Sequence, residues 1–580
     1  MTTTQKLQKK LNDSKAMRWT ALIIVSFTMM MAYFFTDVMG PLEAPLTTKG
    51  KLVYFDNGTY LSADSLSKVC IEEVGSIDEI TAGKTYNIVY NEDNKLKKEI
   101  TKVNNVYTLA DTTIATTGKY IALENGTILD ATSIKAFGLK SEINQDEIAE
   151  GKKYRVLHIE KKDKKENVVN KVFTVDTTLQ GLGWSSSNYG FFSGAYGLIN
   201  VFLLMLFFGG IILDKMGVRF TGIMSTGLMF LGAAIKWYAV NNVFTGEVFG
   251  LPTQVAIASL GFAVYGVGCE IAGITVTKVI AKWFTGHEMA LAMGLQVALA
   301  RLGTASAMAF ALPLAKQMGL VSAPVMIGAG ALCIGFLSYM VYCVMDKKFD
   351  KSAGIEKISA DPDEQFKFSD LKVIFCNKGF WLITFLCLIF YSAVFPFMKF
   401  APKLMEMKYN VNSDFAGSIV SMLPFGTILL TPLFGSLYDR IGKGATLMLI
   451  GSVLLTIVHI LFALPILSFG WFAIIVMILL GIAFSLVPSA MWPSVPKIIP
   501  MKQLGSAYAI IFYIQNIGLS MVPMLIGSVI ESNTAADGTV NYSIPMSIFA
   551  LFGVLAVLIS LILKRTDKKY SYGLEQPTNK

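Results

Sequence analysis

Two ionisable residues stand in otherwise apolar stretches, and their types and spacing point to recognition of a charged solute. Glu270 precedes Trp283 by the same interval of sequence that separates Glu288 from Arg301. In helices rising about 1.5 Å per residue, both fall roughly 20 Å from the same end, on neighbouring antiparallel segments. A carboxylate and a guanidinium at one depth either pair as scaffold or line a cavity together. In the second case they suit a zwitterion, with Glu270 meeting an amine and Arg301 forking onto a carboxylate. Asn200, Tyr391, Trp492, Gln515 and Asn516 are weaker members of such a site, because each alone is more often a helix-packing contact. Asp37 falls near the opposite end of its segment, where gating or helix capping competes evenly with solute contact. Lys236 and Lys278 read as structural lysines reaching an interface, His287 falls in a loop, and His459 stands alone. The sequence holds no nucleophile–base pairing, metal-ligand cluster or nucleotide-binding loop. An enzyme is therefore not expected, nor a metal or cofactor.

The elements that position these residues are membrane spans. Of 580 residues, 53% are hydrophobic and 16% charged, and the mean hydropathy is +0.54. The apolar residues fall into twelve runs of about 20, the length that crosses a hydrocarbon core; the first is 19–40, the second 189–212 and the last 543–563. The first run is too long for a cleaved signal peptide. Lys6, Lys9, Lys10, Lys15 and Arg18 precede it, and every second loop afterwards is basic, whereas 241–252, 467–469 and 532–542 carry no Lys or Arg. Lys403 and Lys408 are the exception. The positive-inside rule then puts both termini in the cytoplasm and accounts for most of the net charge of +9, so nucleic-acid binding is not expected. Cys70 is the one cysteine placed outside, without a partner, so no disulfide framework is expected.

The chain repeats itself twice. Gly210-Ile-Ile-Leu-Asp214-Lys215-Met-Gly217-Val-Arg219 follows the second run, and Gly435-Ser-Leu-Tyr-Asp439-Arg440-Ile-Gly442-Lys443 follows the eighth, at a constant offset of 225. Two six-helix halves are thus expected, with Asp214, Arg219, Asp439 and Arg440 in gating roles at one membrane face. The glycines suit tight turns, and the carboxylates suit helix amino termini. Between 45 and 180 the texture changes to alternating polar and apolar residues, as in β-strands. There Asn57-Gly58-Thr59 recurs as Asn125-Gly126-Thr127, and Asp78-Glu79-Ile80 with Gly83-Lys84 and Tyr86 recurs as Asp146-Glu147-Ile148 with Gly151-Lys152 and Tyr154, both at an offset of 68. Two tandem β-rich modules outside the cytoplasm are expected, serving as spacer or protein-docking domain, with solute capture as the minority reading. His158 within them reads as structural.

The glycine–aspartate loop in two copies resembles the signature loop of the major facilitator superfamily. Tyr33-Phe-Phe-Thr-Asp37, Gly268-Cys-Glu270, Ala300-Arg301-Leu-Gly303, Trp283-Phe284, Gly294-Leu295-Gln296, Val394-Phe395-Pro396-Phe397, Trp492-Pro493, Leu504-Gly505-Ser-Ala-Tyr508 and Gln515-Asn516-Ile-Gly518 resemble one branch of it, the lysosomal dipeptide transporters and their bacterial relatives. The match spans nearly all the membrane part and leaves out 45–180. It implies that Glu270 and Arg301 engage the amino and carboxyl ends of a peptide, and that Trp492 is the branch's tryptophan of span ten.

The resulting expectation is an all-α membrane protein with a twelve-helix major facilitator fold and an inserted β-rich extracytoplasmic domain. Its parts are a tail and first helix (1–44), the insert (45–180), helices two to six (181–345), a cytoplasmic linker (346–378), helices seven to twelve (379–565) and a tail (566–580). The expected function is secondary transport of small zwitterions, foremost dipeptides, with an organic-anion transporter or a membrane sensor as rivals. The partners are that solute and the bilayer, with a protein at the insert as one further reading. Thr2–Ala16 shows no acidic dileucine signal, so a bacterial plasma membrane is expected rather than a lysosome.

Overall fold

Length and apolarity translate directly into helices. The computed structural model describes residues 11–55, 165–203, 205–284, 287–353, 368–465, 468–500, 503–535 and 540–577, with separate short strands between 60 and 162. The side chains of 55–175, 204–207 and Asp214 lie outside this description, as do those of Cys70 and His158. Among the described residues, eleven helices are long and apolar enough to cross a membrane, from Lys15–Asp37 to Ser543–Tyr570. The second expected span is broken instead. A 17-residue helix, Ser186–Phe202, stops where Leu203 leaves helical geometry, and Met205–Asn241 then carries the chain through Gly217 into the third span.

For reference, the eleven long helices and the broken segment before the second of them are numbered as spans in chain order: one Lys15–Asp37, two Ser186–Phe202 with the start of Met205–Asn241, three the remainder of that helix, four Thr253–Phe284, five Met289–Met318 and six Ala323–Ala353. Seven to twelve are Lys378–Tyr409, Ser413–Ile441, Gly444–Ala463, Gly470–Ile498, Leu504–Ser532 and Ser543–Tyr570. Their ends carry local signals. Ser185 accepts from Asn188 N at 3.1 Å, Asn377 from Phe380 N at 3.1 Å and Asn412 from Asp414 N at 2.8 Å, each satisfying an orphan donor of a first turn. Gly217 and Gly442, one repeat apart, both turn at positive φ (75° and 71°), which only glycine adopts without strain.

The helices form one compact unit and residues 48–183 another, and each is described by itself. In the second unit the first and last segments pair: β1 (Lys49–Phe55) runs antiparallel to β10 (Lys165–Leu182), with Lys49 opposite Leu182. β2 (Tyr60–Leu61), β3 (Val69–Glu72), β4 (Thr85–Val89), β5 (Asn105–Thr108), β6 (Ile121–Ala122), β7 (Ile128–Leu129), β8 (Gly138–Ser141) and β9 (Lys153–Lys162) complete small sheets. Val53 faces Leu61, and one module repeat further along Ile121 faces Leu129. Cys70 faces Leu157, and shifting each by one repeat in opposite senses gives the observed pair Gly138 and Val89. Asn57–Thr59, Asn125–Thr127, Asp78–Lys84 and Asp146–Lys152 lie outside the described residues, and paired strands alone do not establish a complete β-rich domain.

In the helical unit, the end where the chain leaves at Thr47 and returns at Trp184 is called the insert end. There the two halves touch through glycine. A Cβ on Gly194 of span two would stand 2.1 Å from Ser520 O of span eleven, and one on Gly417 of span eight 2.1 Å from Met308 O of span five. At the opposite end, Gly210, Gly294, Gly435 and Gly505 of the same four spans have nothing within 4 Å of such a Cβ. The halves are therefore sealed at the insert end and spread at the other. Gly194→Ala is expected to cost about 1–3 kcal/mol by overpacking, while Gly435→Ala leaves stability unchanged. Thermal melting of the two purified variants checks this, and equal melting temperatures would contradict the assigned contact.

Candidate functional site

Glu270 and Arg301 project from spans four and five into the interior between the halves. Tyr196 of span two donates its hydroxyl to Glu270 Oε1 at 2.8 Å. Arg301 reaches across to the other half, where its guanidinium carbon lies 5.2 Å from the Phe484 ring centroid and 5.7 Å from that of Phe395. Among the described residues the two charges form no ion pair with each other or with a third group. The scaffold alternative therefore lacks its contact. Tyr33 of span one lies close enough to both to feel their charge. A guanidinium stacked on rings recovers only part of its lost hydration, so an incoming carboxylate has much to gain.

Most of the other candidates lie on the facing half, in spans seven, ten and eleven, while Asn200 is on span two. Trp492 Nε1 donates to Tyr391 OH at 3.1 Å, and the Trp492 ring packs at a tilt against Tyr508 and Phe512. Cys387 Sγ donates to Gln515 Oε1 at 3.3 Å. Asn200 is fully buried with both amide atoms unpartnered, Asn516 has an unpartnered Oδ1, and Ser392 an unpartnered hydroxyl. Buried amides without partners are costly and mark places a solute or water fills. Asp37 stands apart from this group: Lys399 of span seven donates to its Oδ1 at 2.5 Å. Sequence reasoning did not single out Tyr196, Phe395, Phe484 or Ser392 as site residues. Tyr33 and Phe395 had a signal, since both stand in motifs of the family resemblance.

Lys236 corrects the sequence reading. It does not snorkel but is fully buried, 4.3 Å from the ring centroids of Phe35 and Phe262, because its span turns that face to spans one and four. Lys278 is exposed. His459 is packed between Phe397 and Phe549. His287 lies in the loop before span five, 3.9 Å from Asp13.

The expected gating residues have different fates. Arg219 bonds Asp350 at 2.7 Å and Asp346 at 3.3 Å, and Lys282 holds the same two carboxylates at 2.7 and 2.8 Å. This cluster ties spans three, four and six of one half together, away from the insert end. Asp214 has its side chain outside the description, and Asp439 and Arg440 form no described ion pair. On that half the tail takes over: Glu575 accepts from Thr446 N and Oγ1, both at 2.8 Å.

The insert end is sealed by ion pairs between the halves. Lys399 bonds Asp37, Lys316 of span five bonds Asp414 of span eight at 2.8 Å, and Lys403 lies 3.8 Å from Glu43. That last distance is too long for a hydrogen bond, and both Glu43 oxygens are buried without a donor. Burial pushes the Glu43 carboxyl up to about 7, against the opposing pull of Lys403. A raised folded value means the folded state binds this proton more tightly, so its stabilisation is full below the ordinary carboxylate range and is lost as pH rises towards 7. The melting temperature of the native chain is expected to fall over that window relative to Glu43→Gln, and parallel curves for the two proteins would remove Glu43 from the seal.

The family model for the Major Facilitator Superfamily matches residues 167–523 and 400–576. The protein named lysosomal dipeptide transporter MFSD1 of Bos taurus is 28% identical over 340 residues, which cover 57% of this chain and 69% of that one. Its Homo sapiens counterpart is 26% identical over 368 residues, covering 62% and 75%. Among solved structures, the nucleoside transporter NupG superposes with a TM-score of 0.52 at 16% identity, over 66% of this chain and 91% of its own, a likeness of fold alone.

Proposed function

This chain belongs to the major facilitator superfamily, and from that premise we propose that it carries dipeptides or similar small zwitterions by alternating access. That it is a multi-pass secondary transporter and not an enzyme follows from the family and its transporter relatives. The substrate reading rests on one observation: Glu270 and Arg301 present opposite, unpaired charges to one interior. A free peptide offers an amine to the first and a carboxylate to the second. Asn200 and Asn516 carry spare amide groups suited to the peptide bond, while Tyr391, Trp492 and Gln515 wall the other side. Relatives named dipeptide transporters support the same reading. Asp37 is assigned to the seal because Lys399 already holds it.

The remaining assignments are proposals of the same kind. Twelve spans in two halves, rocking about this site, are supported by the repeat at 225 and by Gly217 and Gly442 in matching turns. Arg219 and its acids, with Asp214, Asp439 and Arg440, hold the ends that close when the seal opens. The insert is taken as two β modules outside the cytoplasm, a dock for a protein partner; strand pairs recurring one repeat apart support the modules. Both termini are placed in the cytoplasm on the distribution of Lys and Arg, and the membrane is taken as a bacterial plasma membrane, whereas the named relatives are lysosomal.

Arg301→Ala is expected to abolish uptake of free dipeptides in proteoliposomes, and Arg301→Lys to recover only part of it, because an ammonium cannot reproduce the planar fork. Glu270→Gln is expected to fail on substrates with a free amine, and N-acetylated dipeptides to bind the native protein poorly. A folded Glu270→Gln/Arg301→Met protein that transports at near-native rates, normalised to its amount in the membrane, would leave the pair as scaffold. Organic anions transported equally well by Glu270→Gln would favour the organic-anion rival.

A further inference from the structure

Lys236 has no carboxylate within ion-pair distance among the described residues, although it is wholly enclosed. Its Nζ donates to Phe35 O at 3.2 Å and is otherwise surrounded by the rings of Phe35, Phe192 and Phe262. One residue further along span one, Lys399 Nζ donates to Thr36 O at 2.7 Å and to Asp37 Oδ1. Two ammoniums, one from each half, thus hold successive carbonyls at the carboxyl end of span one. Such an end leaves carbonyls without helical donors and attracts cations. Phe35 and Thr36, whose carbonyls the two lysines hold, directly precede Asp37 in the chain.

The arrangement is lopsided. Asp37 and Lys236 belong to the same half, while Lys399 belongs to the other. Opening the insert end carries Lys399 away and leaves the Asp37 carboxylate without its counter-ion. A carboxylate that loses its cation at a low-dielectric wall is disfavoured, so an opening that offers no second cation is resisted. The rings of Phe35, Phe192 and Phe262 present faces on which an ammonium can rest, and Lys236 meets no acid of its own among the described residues.

We propose that Lys236 is the second counter-ion of Asp37, taking it over when Lys399 leaves and so stabilising the form open at the insert end. Lys236 is a positioning residue: it touches no substrate and sets the balance between the two conformations. The inference rests on alternating access but on no particular substrate.

Distances between spin labels at Val243→Cys and Ser468→Cys test it. Both positions are exposed on insert-end loops, one in each half. The full chain is used in lipid nanodiscs without substrate, with the other accessible cysteines replaced. Lys399→Met is expected to raise the long-distance population, and adding Lys236→Met to reduce it at least threefold. Lys236→Arg, which keeps the charge, is expected to leave the Lys399→Met distribution unchanged. In an Asp37→Asn background, Lys236→Met should have no effect. Lys236→Gln serves as the neutral variant should the methionine protein not fold. Equal long-distance populations with and without Lys236 would overturn the proposal, as would an effect that persists in Asp37→Asn. Because no substrate is present, either outcome leaves the dipeptide reading standing or falling by its own test.

Discussion

A guanidinium or carboxylate moved from water into a low-dielectric interior loses several kcal/mol of solvation, which only a counter-charge, a dipole or a ring face can return. Several buried charges among the described residues are answered in one of these ways, and the kind of answer tells the role of each. Arg219 and Lys282 share two carboxylates within one half, an arrangement that can persist through a rigid-body motion. Lys399 and Lys316 are answered across the halves, so their pairs must break for the molecule to open. Among the described residues Arg301 is answered only by rings and Glu270 only by a tyrosine, which leaves room for a partner that comes and goes.

Glycine gives the same division in terms of backbone. At the insert end, spans two and eleven approach so closely that a single methyl group at Gly194 would collide with a carbonyl. The glycines at the other end of those spans face open space. Small residues permit close helix approach wherever it is needed, and two sets on the same four spans provide for contact at either end. The ion pairs between the halves coincide with the occupied set.

Much of this architecture was legible in the sequence, and the exceptions share one cause. The offset of 225 identified two like turns because a glycine that must adopt positive φ cannot be exchanged freely, and Gly217 and Gly442 do so. Depth along a helix located Glu270 and Arg301, since a fixed rise per residue converts spacing into height. Depth does not say which way a side chain points. Lys236 therefore looked like a lysine near an interface, whereas rotation of its span buries it. For the same reason Tyr196 and Phe484 gave no signal: a tyrosine and a phenylalanine in apolar runs look like packing until the helices are placed against each other. The break after Phe202 was equally hidden, because 189–212 carries no charge or proline and reads as one continuous helix.

The pairing of Lys49 with Leu182, together with the hydrogen bond from Trp184 N to Leu46 O at 2.9 Å, means that the whole stretch between them leaves and rejoins the helices through a joint as narrow as a hairpin. Closing a chain excursion costs little more for a long segment than for a short one, provided the ends already meet. The joint is thus a ready-made socket for grafting. Any small rigid domain whose own termini are adjacent can be mounted between Leu46 and Trp184 in place of the native segment, giving a membrane protein of modest size the external landmark that single-particle imaging requires.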